Sequence, residues 1–256
     1  MGGAKIPPEL NRAWKGTCKA ILGEEIGDLQ DYEGYLLKYV EPVSTRFSAL
    51  SKKPVAVSSL EMHKDAKFIS NEEAQEYAKK MSAPFSINSL KDLDSILEAV
   101  GERAYYAGSI VLGNSHEVYK SDNCSNSHFV LESHHIHDSK YIAYCSVGRY
   151  GEYMFGCNFI GPSKFCIRSV EMWATRAMEI VGCTYVSDSL FCAHLRNCSN
   201  CMFSFNLQNK KFAIGNLELS QEKYAKLSSK LIADLRETLK RKKDALSIVE
   251  ILGGNK

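Results

Sequence analysis

No stretch of about 18 consecutive apolar residues occurs in this chain, so the sequence offers no membrane-spanning helix and no membrane partner is expected. Charge of one sign is also lacking. Lys and Arg total 32 against 30 Asp and Glu, a formal net charge of +2, which makes no general case for nucleic acid or for a lipid surface. The N-terminus, Met-Gly-Gly-Ala-Lys-Ile, has no apolar signal core, and Ile6 stands where a myristoylation signal needs Ser or Thr. No local motif assembles a nucleophile with a base and an orienting partner. Nine cysteines, an odd number, are present without a secretion signal. They argue against a disulfide framework and for reduced thiols in a cytoplasmic protein. The glycosylation-like triplets Asn123-Cys-Ser and Asn197-Cys-Ser have no meaning in that setting.

What is present is a short phrase: a turn residue, a small or polar residue, any residue, then a bulky apolar one. It reads Asn126-Ser-His-Phe129, Asp138-Ser-Lys-Tyr141, Gly151-Glu-Tyr-Met154 and Pro162-Ser-Lys-Phe165. It continues as Thr175-Arg-Ala-Met178, Asp188-Ser-Leu-Phe191, Asn200-Cys-Met-Phe203 and Asn209-Lys-Lys-Phe212. The copies begin about 12 residues apart, an internal repeat of the kind that decides a fold. Taken alternately, they suggest a parallel β-helix with a coil of about 24 residues and about four coils. With the turn residue counted as zero, strand alternation then turns positions three and five inward, Phe129 and Leu131 for example, and positions two, four and six outward. Asn, Asp and Gly suit left-handed corners, whereas Pro162 and Thr175 suit them less and point to irregular coils.

The rest of the 256 residues frames this repeat. The whole reads as an α+β chain: a mostly helical region 1–104, a β-helix over 105–219 of the usual right-handed chirality, and a capping helix with tail over 220–256. Residues 8–40 read as amphipathic helix interrupted at Gly23 and Gly27. The acidic cluster Glu24, Glu25, Asp28, Asp31 and Glu33 near that junction reads as a solvated face, with a docking surface for a basic partner as the alternative. Ser70-Asn-Glu-Glu73 is a capping box that opens a helix to Met81. A helix from Ser89 to Val100 and one over 220–243 would close the two ends of the solenoid, which cannot leave apolar faces open. The latter has a basic exposed side: Lys223, Lys226, Lys230, Arg236 and Lys240–Lys243.

Arg196-Asn-Cys-Ser-Asn-Cys-Met-Phe203, Leu207-Gln-Asn-Lys-Lys-Phe-Ala-Ile214 and Gln221-Glu-Lys-Tyr224 carry a resemblance. Over about 120–235 the chain resembles uncharacterised microbial proteins with Asn-Cys-x-x-Ser/Cys-x-Phe repeats, a Leu-x-Asn-Lys-Lys segment and a Glu-Tyr-containing helix. The resemblance implies a short-coil β-helix and transfers no activity and no catalytic residue.

If even positions face outward, one face carries Lys140, Ile142 and Tyr144, then Lys164, Cys166 and Arg168, then Leu190, Cys192 and His194, then Lys211, Ala213 and Gly215. Binding is expected at Lys140, Tyr144, Lys164, Cys166, Arg168, Cys192, His194 and Lys211, with a protein as the partner. Three other readings stay open. Cys192, His194, Cys198 and Cys201 offer four zinc ligands within ten residues. The lysines, Arg168 and the basic helix could hold RNA or another polyanion. Cys192 or Cys166 with His194 could form a nucleophile, although nothing supplies its orienting partner. The opposite face, with His128, Val130, Tyr153, Phe155 and Cys157, is the one expected to receive the N-terminal helices. His134, His135 and His137 form a second cluster, near His128. Its spacing puts His135 and His137 on one side of a strand, where a transition metal is the alternative to a solvated turn. A homo-oligomer is a further possibility that the repeat leaves open.

Overall fold

Twelve residues, not 24, close one coil. Lys140 pairs in parallel with His128 on one side and with Glu152 on the other. The solenoid therefore has about nine turns, where the alternate-copy reading expected four. This computed structural model describes residues 6–58 and 65–253. Each regular coil contributes two short strands, such as His134–His137 and Lys140–Ala143. One sheet face stacks Asp122–Ser125, His134–His137, Ser146–Arg149 and Asn158–Ile160. The other stacks His128–Leu131, Lys140–Ala143, Gly151–Phe155 and Ser163–Ile167. Both run into the long extended segment Val170–Ala193. One irregular step lies where the sequence placed it: Lys164 pairs with Thr175, so that coil is a residue shorter than its neighbours, while at the first coil Val111 pairs with Cys124, a residue longer.

Side chains do not alternate along this chain. From Glu117 to Glu171 every third residue has a positive φ, Pro162 excepted, and the period resumes from Arg176 to Phe212. Phe129, Tyr141, Tyr153 and Phe165 take φ of 57°, 59°, 59° and 56°. A left-handed residue reverses the pleat, so the unit is a triplet: one side chain in, two out. Buried inward positions run Cys124, Ser127, Val130, Ser133, Ile136, Ser139, Ile142 and Cys145, and onward in the same steps. The expected interior is thereby inverted. Position four of the first phrase copies, Val130 and Ile142, fills the solenoid, while position three, Phe129 and Tyr141, lies outside and half-exposed.

Left-handed backbone costs about 1–2 kcal/mol for each non-glycine residue, and dense hydrogen bonding offsets it. Coil-to-coil backbone bonds are supplemented from inside by Ser and Cys. Ser133 N–H donates to Ser121 Oγ at 3.1 Å, Cys145 N–H to Ser133 Oγ at 3.0 Å, and Cys157 N–H to Cys145 Sγ at 3.3 Å. The Ser133 hydroxyl in turn donates to the Leu131 carbonyl at 2.8 Å, and the Cys145 thiol to the Ala143 carbonyl at 3.3 Å. Buried backbone polar groups need such partners, and a small side chain with both a donor and an acceptor is what the narrow interior can hold.

Helices make a second layer on one face. α1 (Pro8–Leu22) buries Leu10, Trp14, Cys18, Ile21 and Leu22 in a shared core with Leu131, Ala143, Phe155, Ile167 and Met178. A 3₁₀ turn at Leu29–Tyr32 leads into α2 (Glu33–Leu37). α3 (Asn71–Met81) starts at the expected capping box, with Ser70 and Glu73 bonded reciprocally. The N-terminal end of the solenoid is not closed by the expected helix: α4 (Leu93–Arg103) has no buried residue. Strands close it instead. The buried Asp122 carboxylate accepts from Ser58 N–H at 3.0 Å, Ser58 Oγ at 2.7 Å and Ile110 N–H at 2.9 Å. At Gly108 a Cβ would stand 2.5 Å from the Ala56 carbonyl, so only glycine allows this approach. α5 (Gln221–Lys242) meets the last coil through Tyr224 on Phe212 and then runs beside α1. α6 (Ile248–Gly253) packs back on the long extended segment.

Candidate functional site

The expected outward grid does not exist as a surface. Ile142, Cys166, Cys192 and Ala213 are inward and fully buried. Alternation through a left-handed residue had assigned them outward. Tyr144 and Arg168 do point out of the coil, but the helical layer covers them. Lys140, Lys164, His194 and Lys211 remain exposed. Lys140 and Lys164 sit over the stacked rings of Phe129, Tyr141, Tyr153 and Phe165, whose centroids are 4.7–5.0 Å apart. Lys164 also pairs with Glu152 at 2.7 Å. The expected split into two differently packed faces fails because the coil has 12 residues: consecutive phrases stack on one face, and α1 contacts both kinds.

The four proposed zinc ligands are divided by the coil wall. Cys192, Cys198 and Cys201 lie inside, while His194 is an exposed left-handed residue. Among the described residues no group of three or more His, Cys, Asp and Glu could hold a metal ion. All eight cysteines of the repeat occupy inward triplet positions, where they take the same hydrogen-bonding part as serine. Cys166 and His194 cannot pair across the wall. Burial pushes the thiols of Cys183 and Cys201 up to about 11 and that of Cys124 up to about 12, and raises Cys145, Cys166 and Cys192 well above the ordinary range. These are the wrong directions for a nucleophile. Native protein treated with a thiol-specific disulfide reagent is therefore expected to react at none of its nine cysteines on the timescale of mixing, and at all nine after denaturation. Fast labelling of even one native thiol would overturn this.

The charged elements are partly used internally. The acidic cluster has a basic partner within the chain: Glu24 pairs with Arg236 at 3.3 Å and Lys240 at 3.1 Å, and Asp31 with Lys243 at 3.4 Å. Of the basic residues of the terminal helix, Lys223, Lys226, Lys230, Arg241 and Lys242 are left exposed. His134 is buried, with its ring nitrogens 2.8 Å from His135 Nδ1 and 3.1 Å from the Glu41 carbonyl oxygen. His137 Nδ1 lies 2.6 Å from Ser125 Oγ. Each of these contacts is satisfied as a hydrogen bond.

The surface that stands out was not marked by the sequence. Helices pack on the Lys140–Ala143 face; the Ser146–Arg149 face, apart from Asp122 under Ser58 and His134 under the Glu41 carbonyl at one edge, is left open among the described residues. On that face Val147, Tyr150, Phe159, Trp173 and Tyr185 are exposed, Phe159 by 53%, Trp173 by 43% and Tyr185 by 64%. His135, His137, Val147, Arg149, Phe159 and Trp173 line a shallow groove of about 490 Å³ floored by Gly148, Ile160 and Gly161. Gly161 is needed there, because a Cβ would stand 1.9 Å from the Trp173 indole nitrogen; the indole lies across its backbone. Trp173 meets Tyr185 edge-on at 5.2 Å. Arg149 has no carboxylate partner among the described residues. A signal for this site exists only after the triplet is known: large apolar residues in outward positions on a face that no helix covers. Among the described residues no helix is long and apolar enough to cross a membrane. Comparison with family models, with curated proteins and with solved structures finds no match for this chain.

Proposed function

We propose that this chain is a non-enzymatic scaffold that docks a protein partner on the uncovered face of its solenoid. The observation that carries the reading is the contiguous exposed set Val147, Tyr150, Phe159, Trp173 and Tyr185 around Arg149. Exposed apolar patches of this kind mark interaction sites, and Trp, Tyr and Arg are the residues that dominate protein-binding energetics. A polyanion is the weaker reading. Arg149 and Arg196 on this face are matched in number by Asp138 and Glu171, so the field that phosphate chains need is lacking. Buried thiols and the separation of Cys166 from His194 weigh against a Cys/His enzyme. Nine free cysteines fit a reducing, cytoplasmic setting.

The test uses the partner once it has been purified and identified by cross-linking. Trp173→Ala is expected to weaken its binding by at least about 30-fold, the equivalent of a hot spot worth about 2 kcal/mol. Lys211→Ala, on a different side of the coil, should leave binding intact. Should Trp173→Ala and Tyr185→Ala both bind within twofold of the parent chain, the reading is wrong.

A further inference from the structure

We infer that the partner on this face is a second copy of the same chain, docked antiparallel about a twofold axis through the coil of Phe159 and Gly161. The inference rests on the reading that the uncovered face docks a protein, and adds which protein. Its warrant is the order of residues along the stack. Register places Val147 and Arg149 one coil before Phe159 and Gly161, and Glu171 and Trp173 one coil after. A twofold axis lying in the plane of the face maps one coil before onto one coil after. Arg149 of each copy then meets Trp173 and Glu171 of the other. The guanidinium gains an aromatic face and a carboxylate, two partners it does not have among the described residues of its own chain.

The axis itself is suited to self-contact. Phe159 meets its own equivalent there, and the indole of Trp173 leans over Gly161 toward the same point. Such isologous contacts are the commonest route to a homodimer. Area agrees in magnitude. About nine turns at roughly 4.8 Å give a face about 40 Å long. With a half-coil about 15–20 Å across, that is roughly 600–800 Å² on each copy, near the ~800 Å² a standard stable interface buries per partner. Both signs of charge lie on the face, which favours a self-complementary surface over a strongly acidic or basic partner.

The test is sedimentation of the full chain over nanomolar to high-micromolar concentrations. A monomer–dimer equilibrium is expected. Arg149→Glu and Glu171→Arg should each weaken the dimer by about tenfold or more, because like charges then face each other. The double variant should restore it. Both positions are exposed, and circular dichroism checks that each variant keeps its strands. Trp173 gives a second readout: the chain has two tryptophans and Trp14 is fully buried, so loss of acrylamide quenching on dimerisation reports Trp173 alone. A chain that stays monomeric at high-micromolar concentration overturns the inference. So does a dimer in which the double variant fails to restore what the single ones lose. Either result leaves the docking reading intact if Trp173→Ala still abolishes binding of a different purified protein, so the two ideas fail separately.

Discussion

Arg168→Ala is expected to cost about 3–5 kcal/mol of folding stability, the range for stripping one member from a buried ion pair. Arg168 and Glu179 are left-handed residues of neighbouring coils, both buried between the solenoid and the helical layer. Arg168 Nε lies 3.0 Å from Glu179 Oε1, and Tyr35 Oη donates to the same oxygen at 3.0 Å. Glu179 Oε2 accepts from Ser247 Oγ at 2.9 Å and from Ile248 N–H at 3.1 Å, which fastens the start of α6. The guanidinium is held over Tyr35 at 4.1 Å and Tyr39 at 5.0 Å, while its two terminal nitrogens find no hydrogen-bond acceptor. The alanine variant leaves a carboxylate buried without its cation and a cavity beneath two tyrosines. Urea unfolding should show a lower midpoint at an unchanged slope. Limited proteolysis should release the segment around Ser247 first. The double variant Arg168→Met with Glu179→Leu should recover most of the loss, because two apolar residues of similar volume remove the desolvation penalty along with the pair. A single-variant loss under about 1 kcal/mol would show that the pair is not needed.

The same loss should depend on pH. Burial raises the Glu179 carboxyl above its ordinary value, and Arg168 is the largest influence opposing that rise. Removing Arg168 raises it further. A carboxyl whose folded pKa exceeds its unfolded one makes the folded state bind more protons between the two values, so stability falls as pH rises through that window. The gap between the parent chain and Arg168→Ala should therefore be smallest below the folded pKa of Glu179 in the parent chain, where the carboxyl is protonated in both folded forms, and should widen between that pKa and the higher one of the variant. A gap that stays constant with pH would mean that packing, not charge, sets the cost.

The sequence carried the solenoid legibly because a 12-residue spacing survives as a count of similar phrases. The number of residues per coil was harder. Alternate copies looked alike by position, but the real stacking of Lys140 between His128 and Glu152 can be read only from hydrogen bonds. Inside and outside were inverted for a definite reason. Phe129, Tyr141, Tyr153 and Phe165 occupy left-handed backbone that aromatic residues rarely adopt, so no residue preference announced the triplet. The Val130–Leu131 and Ile142–Ala143 pairs, buried on both sides of the strand, also hid any alternation, as strands between two layers do. The cysteines looked like ligands because Cys192, Cys198 and Cys201 are close in sequence. Their serine-like place in the interior shows only beside the Ser121–Ser133–Cys145 ladder. The acidic cluster and the basic helix were each seen, but their pairing across more than 200 residues was not. The groove at Trp173 depended on which face α1 would take, and α1 takes the face that sets Trp14 against Phe155.

Phe155→Ala should therefore be the most damaging single truncation at that junction, at about 3–5 kcal/mol. Phe155 is fully buried and its ring meets Trp14 edge-on at 5.3 Å, with Trp14 in turn 5.2 Å from Tyr32. The inner core of the coils, with Ile142, Met154 and Cys166, lies on the other side of the same strand and does not include it. Loss of the ring thus loosens the helical layer before it loosens the solenoid. Emission from Trp14 should shift to the red in the folded variant, while Trp173 remains as exposed as before. Unfolding followed by Trp14 should precede unfolding followed by strand circular dichroism, whereas the two coincide in the parent chain if it unfolds as one unit. Ile142→Ala, by contrast, empties the inside of the coil and should lower both signals together by about 2–5 kcal/mol. If Phe155→Ala also moves both transitions in step, helices and coils form a single cooperative unit. If it costs less than about 1 kcal/mol, Trp14 does not depend on this ring to hold α1 in place.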